Sequence, residues 1–288
     1  MKRSRLPLLA LAAASALMLS ACASATPDAG SGTTPEPAPT FAEGSTMATL
    51  AEAGTITIGT KFDQPLFGLM GPSGVPEGFD VEVGKIIAAK LGIAEDKIEW
   101  KESVSANREP FIQNGEVDMV IATYTINDRR KEVVSFAGPY YMAGQSILTL
   151  ADNDDIESED DLVGQPVCSV TGSTPAANLE ALGAELVLTD TYSNCLEPLR
   201  NGAVVAVSTD NVILAGLAAQ NEGEFKVVGK PFTEEPYGIG VALEDTDFRN
   251  WVNDVLEESY DDGSYEAAWD KTAGTVLEFV APPAVDRY

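Results

Sequence analysis

The 288-residue chain contains no histidine. That absence excludes His-dependent catalytic triads and His-ligated metal sites. Bases are scarce as well, with 18 Lys and Arg against 45 Asp and Glu and a formal net charge of −27. Three of those bases, Lys2, Arg3 and Arg5, fall within residues 1–21, which hold no acid. The remainder therefore carries 15 bases against 45 acids, net −30. Such a surface disfavours nucleic acid and anionic lipid head groups as partners. It says little about a small ligand, because a few charges placed in a cleft outweigh a distant, salt-screened average. Cysteine occurs only at positions 22, 168 and 195. What is present is ordinary: 44% hydrophobic residues and a mean hydropathy of −0.01 describe a folded chain with a normal core, long enough for one large or two modest domains.

Residues 1–21 read as an export signal. A basic start precedes an apolar run, Leu6 to Leu19, that is too short to remain as a membrane-spanning helix. The run ends Leu19-Ser20-Ala21-Cys22, which resembles a bacterial lipobox in which Cys22 is lipidated and becomes the new N-terminus. Plain secretion is the alternative, since Ala21-Cys22-Ala23 also fits a small-residue cleavage site. Residues 22–53 then read as lipidated cysteine and flexible tether, because Ser, Thr, Pro, Ala and Gly dominate to about Gly44. About twenty such residues reach roughly 25 Å. In an exported chain the two remaining cysteines, Cys168 and Cys195, point to a disulfide that stabilises by roughly 3–4 kcal/mol in the entropic view. Two separate buried thiols are the alternative.

Along the body, strands are expected at Thr55–Thr60, Lys97–Glu102 and Met119–Ala122. Helices lie between them, from Phe79 to a stop at Gly92 and near Asn107–Gln113. That alternation implies a parallel sheet with crossover helices. From Gln145 a second α/β unit begins. Strands are expected at Ser146–Leu150, Pro166–Val170, Glu185–Thr189 and Val204–Val207. Helices open at Thr174 (as N-cap, with Pro175 at N1), Tyr192 and Asp210. A strand at Tyr237–Leu243, an amphipathic helix carrying Phe248, Trp251, Val252, Val255 and Leu256, and a helix at Ser264–Thr272 close the chain.

One stretch carries chemistry. After the apolar run ending at Ala122 come two hydroxyls, Thr123 and Thr125, then Asn127 as helix N-cap and Arg130 in the first turn. In an extended loop both hydroxyls point the same way. Hydroxyls, free helix-start N–H groups and a guanidinium would then converge on a small carboxylate. A solvated helix start with a surface arginine is the plainer reading of these residues alone.

Taken together, GFDVEVGKIIAAKL at 78–91, the run from Asp118 to the F-x-x-P-Y ending at Tyr140, VTGST at 170–174 and STDN at 208–211 resemble the substrate-binding proteins of polar-amino-acid ABC importers. With the lipobox, tether and two-cysteine pattern, the chain looks most like glutamate-binding lipoproteins of actinobacteria. The resemblance implies an α/β, two-lobed periplasmic-binding-protein-like fold. Lobe 1 would be 54–146 plus 241–288 and lobe 2 147–240, joined by hinge strands at Ser146–Leu150 and Ile239–Leu243. It implies Arg130, Thr123 and Thr125 on a ligand α-carboxylate, with Ser173 and Thr174 closing from lobe 2. Asp210 would take the α-ammonium, act as a helix N-cap, or do both. Ser105-Ala106-Asn107-Arg108 is similar to the S-x-N-R of members selective for acidic amino acids, where Ser105 and Arg108 hold the distal carboxylate. Lys61 sits where those members place a second base, a solvated loop lysine being the alternative. Tyr124 or Phe67 could supply a wall.

The implied function is an extracytoplasmic, membrane-anchored lipoprotein that binds L-glutamate, possibly aspartate, and passes it unchanged to permease subunits as a monomer. No metal and no cofactor are expected. The rivals are a same-fold enzyme of the cyclohexadienyl-dehydratase type, a ligand-sensing receptor, and glutamine or another polar amino acid as ligand.

Overall fold

The computed structural model describes residues 40–288, so the leader and Cys22 lie outside the described residues. Structure begins earlier than the composition implies. Residues 46–53, expected as tether, form helix α1 (Thr46–Ala53), capped by the Ser45 hydroxyl, which accepts the Ala48 N–H at 3.1 Å, and ended by Gly54 at φ +67°. The cap and the buried Leu50 anchor what Ser and Thr content alone reads as loop. Ahead of it, Phe41 packs edge-on to Trp251 at 5.7 Å.

The chain then runs through β1 (Ile56–Thr60), the two-residue β2 (Asp63–Gln64), β3 (Gly68–Met70) and β4 (Pro76–Glu77), and α2 (Phe79–Lys90). Gly78, at φ +139°, must be glycine, since a Cβ there would sit 2.3 Å from the Phe67 carbonyl. Next come β5 (Ile98–Glu102), α3 (Arg108–Gln113), β6 (Met119–Val120), α4 (Asp128–Lys131) and β7 (Ser135–Ala143). The second half adds β8 (Gln145–Leu150), β9 (Pro166–Val170), α5 (Thr174–Leu182), β10 (Glu185–Thr189), α6 (Leu196–Arg200), β11 (Ala206–Asp210), α7 (Asn211–Gln220) and β12 (Phe225–Val228). It returns through β13 (Glu235–Val241), α8 (Thr246–Asp262) and α9 (Ser264–Lys271).

Two five-stranded sheets result, β5-β1-β6-β13-β7 and β10-β9-β11-β8-β12, each the centre of one lobe. Neither is purely parallel, as the strand–helix alternation had implied. In the first, β13 runs antiparallel to β6 and β7; in the second, β8 runs antiparallel to β11 and β12. Strands that cross between lobes must return against the parallel set, and that long-range pairing leaves no local periodicity.

Ser146–Leu150 belongs wholly to the second sheet, and β13 joins the first from Glu235 opposite Ala143, so a boundary at 240/241 falls inside it. The chain crosses at Gly144 and again between Val228 and Glu235. Helix α5 is N-capped by Ser173 rather than Thr174: the Ser173 hydroxyl accepts the Ala176 N–H at 3.1 Å. Cys168 on β9 and Cys195 are joined as a disulfide. The few aromatics are concentrated. Phe67, Phe79, Tyr140, Tyr141, Tyr237, Tyr265 and Trp269 interlock in the first lobe's core. Phe67 is therefore core and not a wall of the cleft.

Candidate functional site

The carboxyl ends of β1, β6, β9 and β11 meet between the lobes, where open α/β sheets place their ligands. Of the nine residues expected to hold a ligand, six line one enclosed space there: Ser105, Arg108, Thr123, Ser173, Thr174 and Asp210. Its free volume is only about 10 Å³, close to the space of a single water. Tyr192, Pro175 and Ile213 complete its lining.

The other three sit at its margin. Lys61 is buried, not a solvated loop lysine, and donates to the Ser105 hydroxyl at 2.9 Å. Thr125 meets Thr174 hydroxyl to hydroxyl at 3.2 Å across the cleft. Arg130 is also buried, which removes the surface-arginine reading. Its Nε donates to Glu109 at 3.1 Å, one Nη to the Thr125 carbonyl at 2.6 Å and the other to the Gly172 carbonyl of the second lobe at 3.1 Å. Three of its five N–H donors are thus engaged. Its guanidinium lines an outer groove with Glu109, Arg129 and Gly172, and is not among the residues lining the enclosed space.

Asn127 caps α4 as expected, its side chain accepting the Arg130 N–H at 2.9 Å. The hydroxyl loop, however, is not extended. Thr123 adopts φ +43°, and its hydroxyl lies 2.9 Å from the Ala122 carbonyl and 3.0 Å from the Gln64 side-chain oxygen, either of which can accept its one proton, so the loop is bent at this residue. The residue that holds this bend went unread in the sequence. Asp80, buried in the first turn of α2, accepts the Thr123 N–H at 2.7 Å and the Tyr140 hydroxyl at 2.6 Å. Its only sequence signal is an acid set among the apolar positions of GFDVEVGK.

Arg108 is the most exacting element of the site. It is buried, and its nitrogens reach only carbonyls: Nε to Ser105 at 3.2 Å, Nη1 to Ala122 at 3.2 Å and to Thr123 at 3.3 Å. Among the described residues it has no carboxylate within ion-pair distance, and its Nη2 donates to none of them. On the opposite wall Asp210 accepts the Tyr237 hydroxyl at 2.6 Å through Oδ2, while its buried Oδ1 has no partner. Its side chain makes no cap bond to α7, so the N-cap role is not taken up.

Burial dominates the electrostatics. It pushes the Asp210 carboxyl up to about 7, with the nearby Glu235 carboxylate adding to the effect. It pushes Asp80 to about 7 against the stabilising hydrogen bonds from Tyr140 and Thr123. Burial, reinforced by Arg108, lowers the Lys61 ammonium to about 7. Between about pH 4 and 7 native Asp80 and Asp210 hold protons that the unfolded chain has released, so their contribution to stability falls as pH rises. From 7 to 10.5 the unfolded chain holds the extra proton on Lys61, so that contribution rises with pH. The ligand-free protein is therefore expected to melt at a lower temperature at pH 7 than at pH 5. Asp210→Asn should flatten that slope in calorimetric scans, and an unchanged slope in the variant would contradict the burial of this carboxyl.

Residues 56–275 match the family model described as bacterial extracellular solute-binding proteins, family 3. The chain belongs to that family. Among curated relatives it is 46% identical over 227 residues to the glutamate-binding protein GluB of Corynebacterium efficiens, covering 75% of this chain and 77% of that one. It is 37% identical over 230 residues to the ABC transporter glutamine-binding protein GlnH of Bacillus subtilis, covering 78% and 84%. Among solved structures an ancestral arginine-binding protein bound to glutamine superposes with a TM-score of 0.72 at 36% identity, covering 76% of this chain and 97% of that one. The relatives' names are those of transport binding proteins. As a family 3 solute-binding protein, the chain has its cleft where an amino-acid ligand and permease partners are expected. Among the described residues no helix is long and apolar enough to cross a membrane.

Proposed function

We propose that this family 3 protein binds L-glutamate, with aspartate as the secondary ligand, and delivers it unchanged to the permease of an ABC importer. The observation that carries the reading is Arg108, a buried guanidinium with no carboxylate partner among the described residues, in a small cleft flanked by Ser105 and Lys61. A buried cation of this kind is costly unless something anionic completes it. The ligand's distal carboxylate fills that role, held by Arg108 and Ser105, with Lys61 recharged as it arrives. Arg130 and Thr125 take the α-carboxylate, for which Arg130 retains two N–H donors, with Thr123, Ser173 and Thr174 completing the cradle. Asp210 ionises against the α-ammonium, which removes the cost of its unpartnered oxygen.

The lobes close about the crossings at Gly144 and at residues 229–234. Gly144 lets those crossings touch, since a Cβ there would lie 2.6 Å from the Thr233 carbonyl oxygen. Ligand contacts to both lobes favour the closed form, and the permease reads that form. Nothing in this scheme asks for a bond to be made or broken, so the protein acts as a binding subunit and not as a dehydratase. Export through residues 1–21 and a lipid on Cys22 place it outside the cytoplasm, anchored at the membrane as a monomer. Calorimetry against the standard amino acids tests the reading. Glutamate should bind tightest, with aspartate or glutamine trailing, and a basic amino acid binding as well as glutamate would refute the roles given to Arg108 and Lys61.

A further inference from the structure

Tyr124 lies between the two threonines of the cleft loop, fully buried, with its ring against both arginines. The guanidinium carbon of Arg108 is 4.3 Å from its ring centroid and that of Arg130 is 5.0 Å away. The ring is itself held from several sides. Phe136 meets it edge-on at 4.8 Å, and the Tyr124 carbonyl accepts the Gly238 N–H at 2.9 Å. Gly240 leaves it room, since a Cβ there would sit 2.8 Å from Tyr124 Cε1. Two buried guanidiniums near one another repel, and burial together with the Arg108 charge lowers the Arg130 guanidinium to about 10. Among the described residues Glu109 forms an ion pair with Arg130, at 3.1 Å, and its charge also acts on Tyr124. Among the described residues the Tyr124 ring lies within cation–π distance of both cations.

We propose that Tyr124 is a positioning residue for ligand selectivity: its ring holds the Arg108 and Arg130 guanidiniums as a pair, set to receive the two carboxylates of one acidic amino acid. The proposal rests on the glutamate reading above and adds to it a group that touches neither carboxylate. A residue that merely filled the core would, when replaced, weaken every ligand alike. A shared cation platform, when lost, weakens the ligand with two carboxylates more than the ligand with one, because only the former uses both guanidiniums.

The test compares Tyr124→Phe, which keeps the ring face, with Tyr124→Leu, which keeps apolar bulk and loses the face; Tyr124→Met replaces the latter should it fail to fold. Calorimetry with glutamate and glutamine reads the affinity ratio, and NMR reads the side-chain Nε–H resonances of Arg108 and Arg130 in the ligand-free protein. Tyr124→Phe should stay within about twofold of the parent ratio. Tyr124→Leu should lose roughly tenfold in glutamate affinity and distinctly less in glutamine affinity, the scale expected of desolvated cation–π contacts. The ring-current shifts of both arginines should survive in the Phe variant and vanish in the Leu variant. Equal losses for both ligands, or a Phe variant as damaged as the Leu variant, would overturn the proposal. Should the parent protein fail to bind glutamate, the functional reading falls, while the arginine resonances still decide whether Tyr124 holds the two cations.

Discussion

Arg108→Ala is expected to erase the preference for acidic ligands while leaving a protein that still binds amino acids. Truncating one partner of a desolvated charge pair costs about 2–5 kcal/mol. At about 1.4 kcal/mol per decade, glutamate affinity should fall by at least roughly 30-fold and by as much as roughly 4,000-fold. Glutamine brings no second carboxylate to Arg108, so its affinity should change little or improve, because the parent site leaves that guanidinium underpaired when glutamine binds. Among the described residues the hydrogen-bond partners of Arg108 are carbonyls, so the variant orphans no buried carboxylate and its fold should persist. Calorimetric titration of both ligands checks the division of labour. Equal losses for glutamate and glutamine would mean that Arg108 serves the ligand's common end or only the fold.

Arg130→Ala should do the opposite and abolish binding of every amino acid. The common α-carboxylate loses its guanidinium, Glu109 loses its ion-pair partner, and the bond from Arg130 to the Gly172 carbonyl, which joins one lobe to the other, disappears. A loss of a thousandfold or more is expected for glutamate, aspartate and glutamine alike, measured by equilibrium dialysis with labelled ligand. Arg129→Ala is the internal control, since that neighbour is exposed and should leave affinity nearly unchanged. An Arg130→Ala protein that keeps glutamate affinity within tenfold would contradict its assignment. The outcome matters because Arg130 lines the outer groove with two N–H donors left over for a carboxylate.

Much of this was legible in the sequence wherever a local rule governs the outcome. Asn127 caps α4 because an Asx side chain before a helix has a donor within reach, and the apolar stripe of α8 fixes its buried face. Cys168 and Cys195 paired as an exported pair should. What stayed hidden depends on distant partners. The SFAGPYYMA of β7 has no clean alternation, and it becomes a strand because β13, a hundred residues on, pairs along it. Asp80 reads as one more acid on a helix until Thr123 and Tyr140 are brought to it. The left-handed Thr123 follows from that carboxylate, not from its own propensity. The resemblance to amino-acid binders assembled a set of cleft residues that no local rule could have gathered. It could not show that Lys61 is buried against Ser105, or that the Tyr124 ring packs against both arginines.

The central claim is that Arg108 awaits a second carboxylate. Glutamate and glutamine differ at that group alone, so titrating both into the same preparation by calorimetry isolates it. Glutamate should bind more tightly by at least roughly 30-fold, the low end of what a desolvated charge pair contributes. Glutamine binding as tightly as glutamate would contradict the account.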